Sequence, residues 1–114
     1  MNNNNQATSF NFIGQSSEIN GELVLRGDTH IFGKFSGNIT GERNISLIIE
    51  YTGQVEGTIT GVNVIIKGQL IGDISSAEKI EISSTGKVKG IIEAKNFQIY
   101  PGSKIIGNIK TIKK

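Results

Sequence analysis

Gly33-Lys34-Phe35-Ser36-Gly37-Asn38-Ile39-Thr40-Gly41 alternates without a break between small or apolar residues and polar ones. Successive side chains of a β-strand point to opposite faces, so one face of this stretch reads Gly, Phe, Gly, Ile, Gly and the other Lys, Ser, Asn, Thr. The first face suits burial and the second suits water. Gly53-Gln54-Val55-Glu56-Gly57-Thr58-Ile59-Thr60-Gly61 repeats the pattern position for position. A strand that recurs in the same phase is the mark of a repeat architecture.

Working outward, the core of the unit is an apolar residue, a central glycine two positions on, and a second apolar residue two positions further. It occurs at Ile19-Gly21-Leu23, Phe35-Gly37-Ile39, Val55-Gly57-Ile59, Leu70-Gly72-Ile74, Val88-Gly90-Ile92 and Ile105-Gly107-Ile109. The central glycines are 16, 20, 15, 18 and 17 residues apart, which suits one coil of a β-solenoid and is short for most helical repeats. Gly21, Gly37, Gly57, Gly72, Gly90 and Gly107 are expected at tight corners, where an inward side chain would collide with the interior of a narrow solenoid.

A second apolar pair precedes most units: Leu47 and Ile49, Val62 and Val64, Ile80 and Ile82, Phe97 and Ile99. Each pair stands at a constant distance from the small residue after it, which predicts that coil length varies at one corner only, the one before the pair. The first coil is the weakest match, since Leu25, Gly27, Thr29 and Ile31 lack a regular apolar pair. The prediction is an all-β fold, a β-solenoid of about six short coils, in which each rung buries about four large apolar side chains worth roughly 1.5 to 3 kcal/mol apiece. Such a coil is stable only when its neighbours cover it.

Composition agrees and narrows the function. With 114 residues the chain is a single domain, rich in Ile, Val and Gly, with one Pro and no Trp. Residues 10–112 are expected to form the solenoid, 1–9 a flexible polar N-terminal tail and 113–114 a short basic C-terminal tail. The chain has no Cys, hence no disulfide framework and no thiolate chemistry. The Asn-rich start lacks the basic and apolar regions of a signal peptide, and no apolar run is long enough for a membrane span, which reads as a cytoplasmic protein. Net charge is +2, and few aromatics are present to stack on bases, so no nucleic-acid partner is expected. The charge is nonetheless polarised, net −3 over residues 1–57 and +5 over 58–114. No Walker-type phosphate loop occurs, and the recurring glycines precede strands rather than a helix, so no nucleotide or other cofactor is expected.

The opening Phe12-Ile13-Gly14, the units Ile19-Asn20-Gly21-Glu22-Leu23 and Gly33-Lys34-Phe35-Ser36-Gly37-Asn38-Ile39, and later ones such as Gly86-Lys87-Val88-Lys89-Gly90 together resemble the bactofilins over roughly Phe10 to Ile109. The resemblance implies a right-handed parallel β-helix of triangular coils. It also implies a bacterial cytoskeletal polymer that assembles end to end without nucleotide, often at the inner face of the cell membrane, and scaffolds cell-shape or peptidoglycan-modifying proteins. The tails of this sequence are short beside those of many relatives, with no long proline-rich extension, so tail-mediated partner binding is not an expectation that the resemblance carries over. The alternative fold and function is a left-handed β-helix acyltransferase of the hexapeptide kind. That reading asks for a strict six-residue period and a catalytic His at a subunit interface, whereas here the glycine units are 15 to 20 residues apart and the lone His30 lies in the irregular first coil. Polysaccharide lyases and hydrolases on β-helices have longer chains and need clustered acids or bases.

No residues are assigned to catalysis, cofactor or metal. Asp28, Asp73 and Glu93 fall at outward or corner phases far apart along the rod, so no carboxylate pair is expected, and His30 reads as a solvated side chain. The expected polymer interfaces are the solenoid ends, with Phe10, Phe12 and Ile13 at the N-terminal end and Ile105, Ile109 and Ile112 at the C-terminal end. An uncapped end coil presents an apolar cross-section and unpaired strand groups to water. Ile105 stands where the final coil of bactofilins commonly carries Phe. Ile71, Ile91 and Ile106 occupy phases that are polar in other coils, which points to a lateral contact between filaments or with a partner. Lys104, Lys110, Lys113 and Lys114 form a basic C-terminal region that could touch anionic lipid, and Phe10, Phe12 and Ile13 could insert into a membrane. The bland readings are a solvated tail for the first group and a cap on the first coil for the second.

Overall fold

The computed structural model describes residues 10–42 and 44–112, with the side chains of all but 10–13 and 76. Ten strands follow one another: β1 (Phe10–Ile13), β2 (Glu18–Val24), β3 (Asp28–Ile31), β4 (Lys34–Thr40), β5 (Ser46–Ile49), β6 (Gln54–Thr60), β7 (Asn63–Ile66), β8 (Gln69–Ile82), β9 (Lys87–Ile99) and β10 (Lys104–Thr111). Every pairing among them is parallel. The glycine-centred strands stack as β2, β4, β6, the first half of β8, the first half of β9 and β10. The apolar-pair strands stack as β1, β3, β5, β7 and the second halves of β8 and β9. The result is a parallel β-solenoid of six rungs, which is five full turns from Gly21 to Gly107.

Each glycine-centred strand changes direction at its central glycine, where φ lies between +131° and +145°, a region that is essentially reserved for glycine. The strand halves on either side form a first and a second face, and the apolar-pair strands form a third. The reason for glycine differs from the collision with the interior that the pattern implies. A Cβ added at Gly37 would lie 1.8 Å from the carbonyl oxygen of Gly21, on the rung beneath, and Gly57, Gly72, Gly90 and Gly107 repeat the geometry on their own predecessors. The clash runs along the rod.

The core is a set of inward columns. Phe35, Val55, Leu70 and Val88 stack behind the first face and Ile39, Ile59, Ile74 and Ile92 behind the second. Behind the third, Leu47, Val64 and Ile80 stand beside Ile31, Ile49, Ile66 and Ile82. The first coil joins this scheme through Thr29 and Ile31, which pair with Leu47 and Ile49. Thr29 is 1% exposed, and its hydroxyl donates to the Gly27 carbonyl at 3.0 Å, so a polar residue is accommodated where an apolar one was sought.

Two other expectations are corrected. The apolar pair of the third coil is Val64 and Ile66 rather than Val62 and Val64; Val62 is buried one position before β7, where Asn63 donates its N–H to the carbonyl of Ile45. Coil length therefore varies at two corners. Ile31 and Ile66 run almost directly into Gly33 and Gly68, whereas Ile49 and Ile82 are separated from Gly53 and Gly86 by longer turns. The longer turns stack on the shorter ones: the Thr52 hydroxyl donates to the Phe32 carbonyl and the Thr85 hydroxyl to the Lys67 carbonyl, both at 2.7 Å. At the other corner, a bulge between Ile74 and Ala77 puts Ala77, not Ser76, in register with Ala94.

Candidate assembly surfaces

The solenoid has two ends and three faces, and its ends interrupt the stacking that closes the core. Among the described residues β10 pairs only with β9, β1 only with β3 and β2 only with β4. Each terminal strand thus keeps one row of backbone N–H and C=O groups without a strand partner.

At the C-terminal end every inward column comes to the surface. Ile105 lies over Val88, Ile109 over Ile92, Phe97 over Ile80 and Ile99 over Ile82. Ile105 and Phe97 are half-buried against the core, and Ile109 and Ile99 are each 43% exposed although the residues beneath them are buried. Ile112 stands apart from these columns. It is half-buried at the corner, donates its N–H to the Ala94 carbonyl at 2.9 Å and lines a groove with Gly41, Gly61 and Ala77. Phe97 and Ile99 join these end residues: they form the last apolar pair among the described residues, and no further pair there covers them.

At the N-terminal end the backbone register places Ile13 in the column of Ile31 and Ile49, both of which are buried. Phe10 shares its position with Asp28, and Phe12 shares its position with His30 and Ile48. The side chains of Phe10, Phe12 and Ile13 lie outside the described residues. Ile19 and Leu23 continue the columns of Phe35 and Ile39 to this end, with Ile19 41% exposed and Leu23 half-buried. They carry the same in-phase signal as the rest of the repeat, and their place in the first unit is what marks them as end residues.

The lateral residues divide. Ile71 and Ile106 belong to one outward column of the first face, with Lys89 on the rung between them. Ile91 follows the Gly90 corner on the second face, beside Asn108. All three are exposed.

Several polar residues serve local structure. A carboxylate oxygen of Asp28 accepts the N–H of Ser46 at 2.9 Å, and one of Asp73 accepts that of Ile91 at 3.1 Å, each tying one coil to the next. His30 is not simply solvated: its Nδ1 is 2.7 Å from a Glu50 carboxylate oxygen, Lys67 approaches the other oxygen at 3.7 Å, and the ring stacks on Phe32. No group of three or more His, Asp or Glu side chains suited to a metal ion occurs among the described residues, and no helix there is long and apolar enough to cross a membrane. Of the basic C-terminal region, Lys104 and Lys110 are exposed on β10, and Lys113 and Lys114 lie outside the described residues.

A family model described as "Bactofilin: Polymer-forming cytoskeletal" matches residues 11–110. Bactofilin BacO of Myxococcus xanthus (strain DK1622) is 35% identical over 97 residues, a match that covers 85% of this chain and 75% of that protein. Bactofilin BacP of the same organism is 30% identical over 97 residues, covering 85% of this chain but 40% of its own length, so the chain spans about two fifths of that relative. No solved structure matches the chain.

Proposed function

The chain belongs to the bactofilin family of polymer-forming cytoskeletal proteins, and from that premise we propose that it assembles end to end, without nucleotide, into filaments that scaffold other proteins. The observation that carries this is the emergence of the inward columns at the C-terminal end, where Ile99 and Ile109 are exposed above fully buried residues and β10 offers an edge. Covering Ile105, Ile109, Phe97 and Ile99 with the end of another subunit, at roughly 1.5 to 3 kcal/mol per side chain, is comparable with an association entropy of about 4 to 15 kcal/mol, and strand pairing adds to it.

Like ends meet in this proposal, C-terminal rung to C-terminal rung and N-terminal to N-terminal, with Ile13, Ile19 and Leu23 at the second contact. A two-fold axis between like ends sets the facing strands antiparallel, a pairing at least as stable as the parallel one. The filament works as a scaffold and not as an enzyme, and its setting is the cytoplasm, at the inner face of the cell membrane, next to envelope or peptidoglycan-modifying proteins. The test is electron microscopy of the purified chain without nucleotide. Long thin filaments are expected, and separate particles at high concentration would remove the proposal.

A further inference from the structure

The first face carries at its C-terminal end a group of exposed side chains that neither the core nor the ends require. In one outward column Ile71, Lys89 and Ile106 follow on successive rungs, and in the neighbouring column Gln69, Lys87 and Lys104 stand beside them. Ile71 is 41% exposed and Ile106 64%, and a groove of about 180 Å³ runs between them. Lys87, Lys89 and Lys104 are exposed, and none of them makes an ion pair among the described residues. Adjacent rungs are about 4.8 Å apart, so three like charges are held close together around an apolar floor.

We propose that this groove docks an acidic peptide segment of a partner protein, with one apolar side chain seated between Ile71 and Ile106 and flanking carboxylates on Lys87, Lys89 and Lys104. The peptide relieves the repulsion among the lysines and covers the two isoleucines at once. Charge complementarity also decides against the other occupants. Two copies of this patch face to face would bring lysine onto lysine. The chain's own first nine residues contain no Asp or Glu. A flat anionic bilayer laid on the first face would also meet the exposed Glu18 and Glu56 nearer its N-terminal end, whereas a short segment touches the basic end alone. This deepens the scaffold reading by naming the chemistry of a client, and it does not depend on how filament ends meet.

The test uses the full chain and a fluorescent nonapeptide of three glutamates, Ser-Leu-Ser and three glutamates, with fluorescence anisotropy as the readout and sedimentation of the same samples to follow assembly. Saturable binding is expected. Lys87→Glu with Lys89→Glu should weaken it at least tenfold, and Lys79→Glu on the third face should leave it unchanged. A probe with Ser in place of Leu should bind at least threefold more weakly, and Ile71→Ser with Ile106→Ser should erase that difference. No saturable binding, equal loss with Lys79→Glu, or no preference for Leu would overturn the proposal. So would binding to phosphatidylglycerol vesicles that needs Lys87 and Lys89 while the peptide stays free. Filaments that pellet normally without capturing the peptide would sink the docking site and leave end-to-end assembly standing; a non-pelleting chain that captures it would do the reverse.

Discussion

Ile99 lies directly over Ile82 in the same inward column, yet Ile82 is fully buried and Ile99 is 43% exposed. The two side chains have the same phase and each stands on an isoleucine, Ile82 on Ile66 and Ile99 on Ile82; they differ in that no rung among the described residues covers the upper one. In an isolated subunit Ile82→Ala should therefore cost about 2 to 5 kcal/mol, whereas Ile99→Ala should cost much less. If the end is an interface, Ile99→Ala should raise the concentration needed for sedimentable polymer by about tenfold, one buried side chain's worth of contact. Urea titration of an assembly-blocked background and sedimentation of the single variant measure the two effects separately.

Ile105→Arg is that background. An unpaired charge placed in a desolvated contact is opposed by several kcal/mol, so growth at the C-terminal end should stop while the coils below still fold. Circular dichroism should be unchanged and sedimentation should show a small species. Undiminished filaments would refute the end-interface model.

The central glycines should divide by position. Gly57→Ala meets both the Gly37 carbonyl at 1.8 Å and a φ of +137°, and the chain should fail to fold. Gly21→Ala meets only the backbone strain at φ +131°, with nothing within 4 Å of the added carbon, and should destabilise by about 1 to 3 kcal/mol. Thermal unfolding of Ile105→Arg proteins carrying each change distinguishes the cases, and equal damage from both would show that the stacked carbonyl is irrelevant.

Thr52→Val and Thr85→Val each remove a hydroxyl that bonds the carbonyl of a shorter turn. Both sites are exposed, so water replaces part of the loss, and each should lower the unfolding free energy by about 0.5 to 1.5 kcal/mol. Their effects should add, because the two hydroxyls share no acceptor. Urea midpoints of the single and double variants read this directly.

The unequal charge of the two halves, net −3 over residues 1–57 and +5 over 58–114, favours antiparallel contact between neighbouring rods. Raising salt shortens the reach of that attraction, to about 3 Å at 1 M. Bundles should loosen into single filaments of unchanged length, measured by electron microscopy across a salt series. Filaments that shorten instead would place the salt-sensitive contact at the ends.

Much of this architecture is legible in the residues because a solenoid repeats one local rule. Two-residue alternation sets which side chains turn inward, as at Phe35, Val55 and Leu70, and the recurrent glycine marks the corner. The rule fails where two answers share one phase. Val62, Val64 and Ile66 alternate without interruption, and a slip of two residues leaves every side chain on its own face, so the pattern alone does not choose between pairs. Pairing of Val64 with Leu47 and of Ile66 with Ile49 makes the choice, and it moves two residues of length from one corner to the other.

By itself the sequence determined the all-β class, the repeating coil and most of the inward set, because these follow from the identity of each residue and its spacing along the chain. Only the tertiary structure decided which of those residues meet. Ile71, Ile91 and Ile106 look equivalent as apolar residues at polar phases, but the bend at Gly90 carries Ile91 to the second face and leaves Ile71 and Ile106 around Lys89 on the first. Coil lengths of 15 to 20 residues set how each rung sits on the next, and that alignment is a property of two segments together. Neither segment encodes it alone, which is why the docking groove and the exposure of Ile99 appear only once the rungs are stacked.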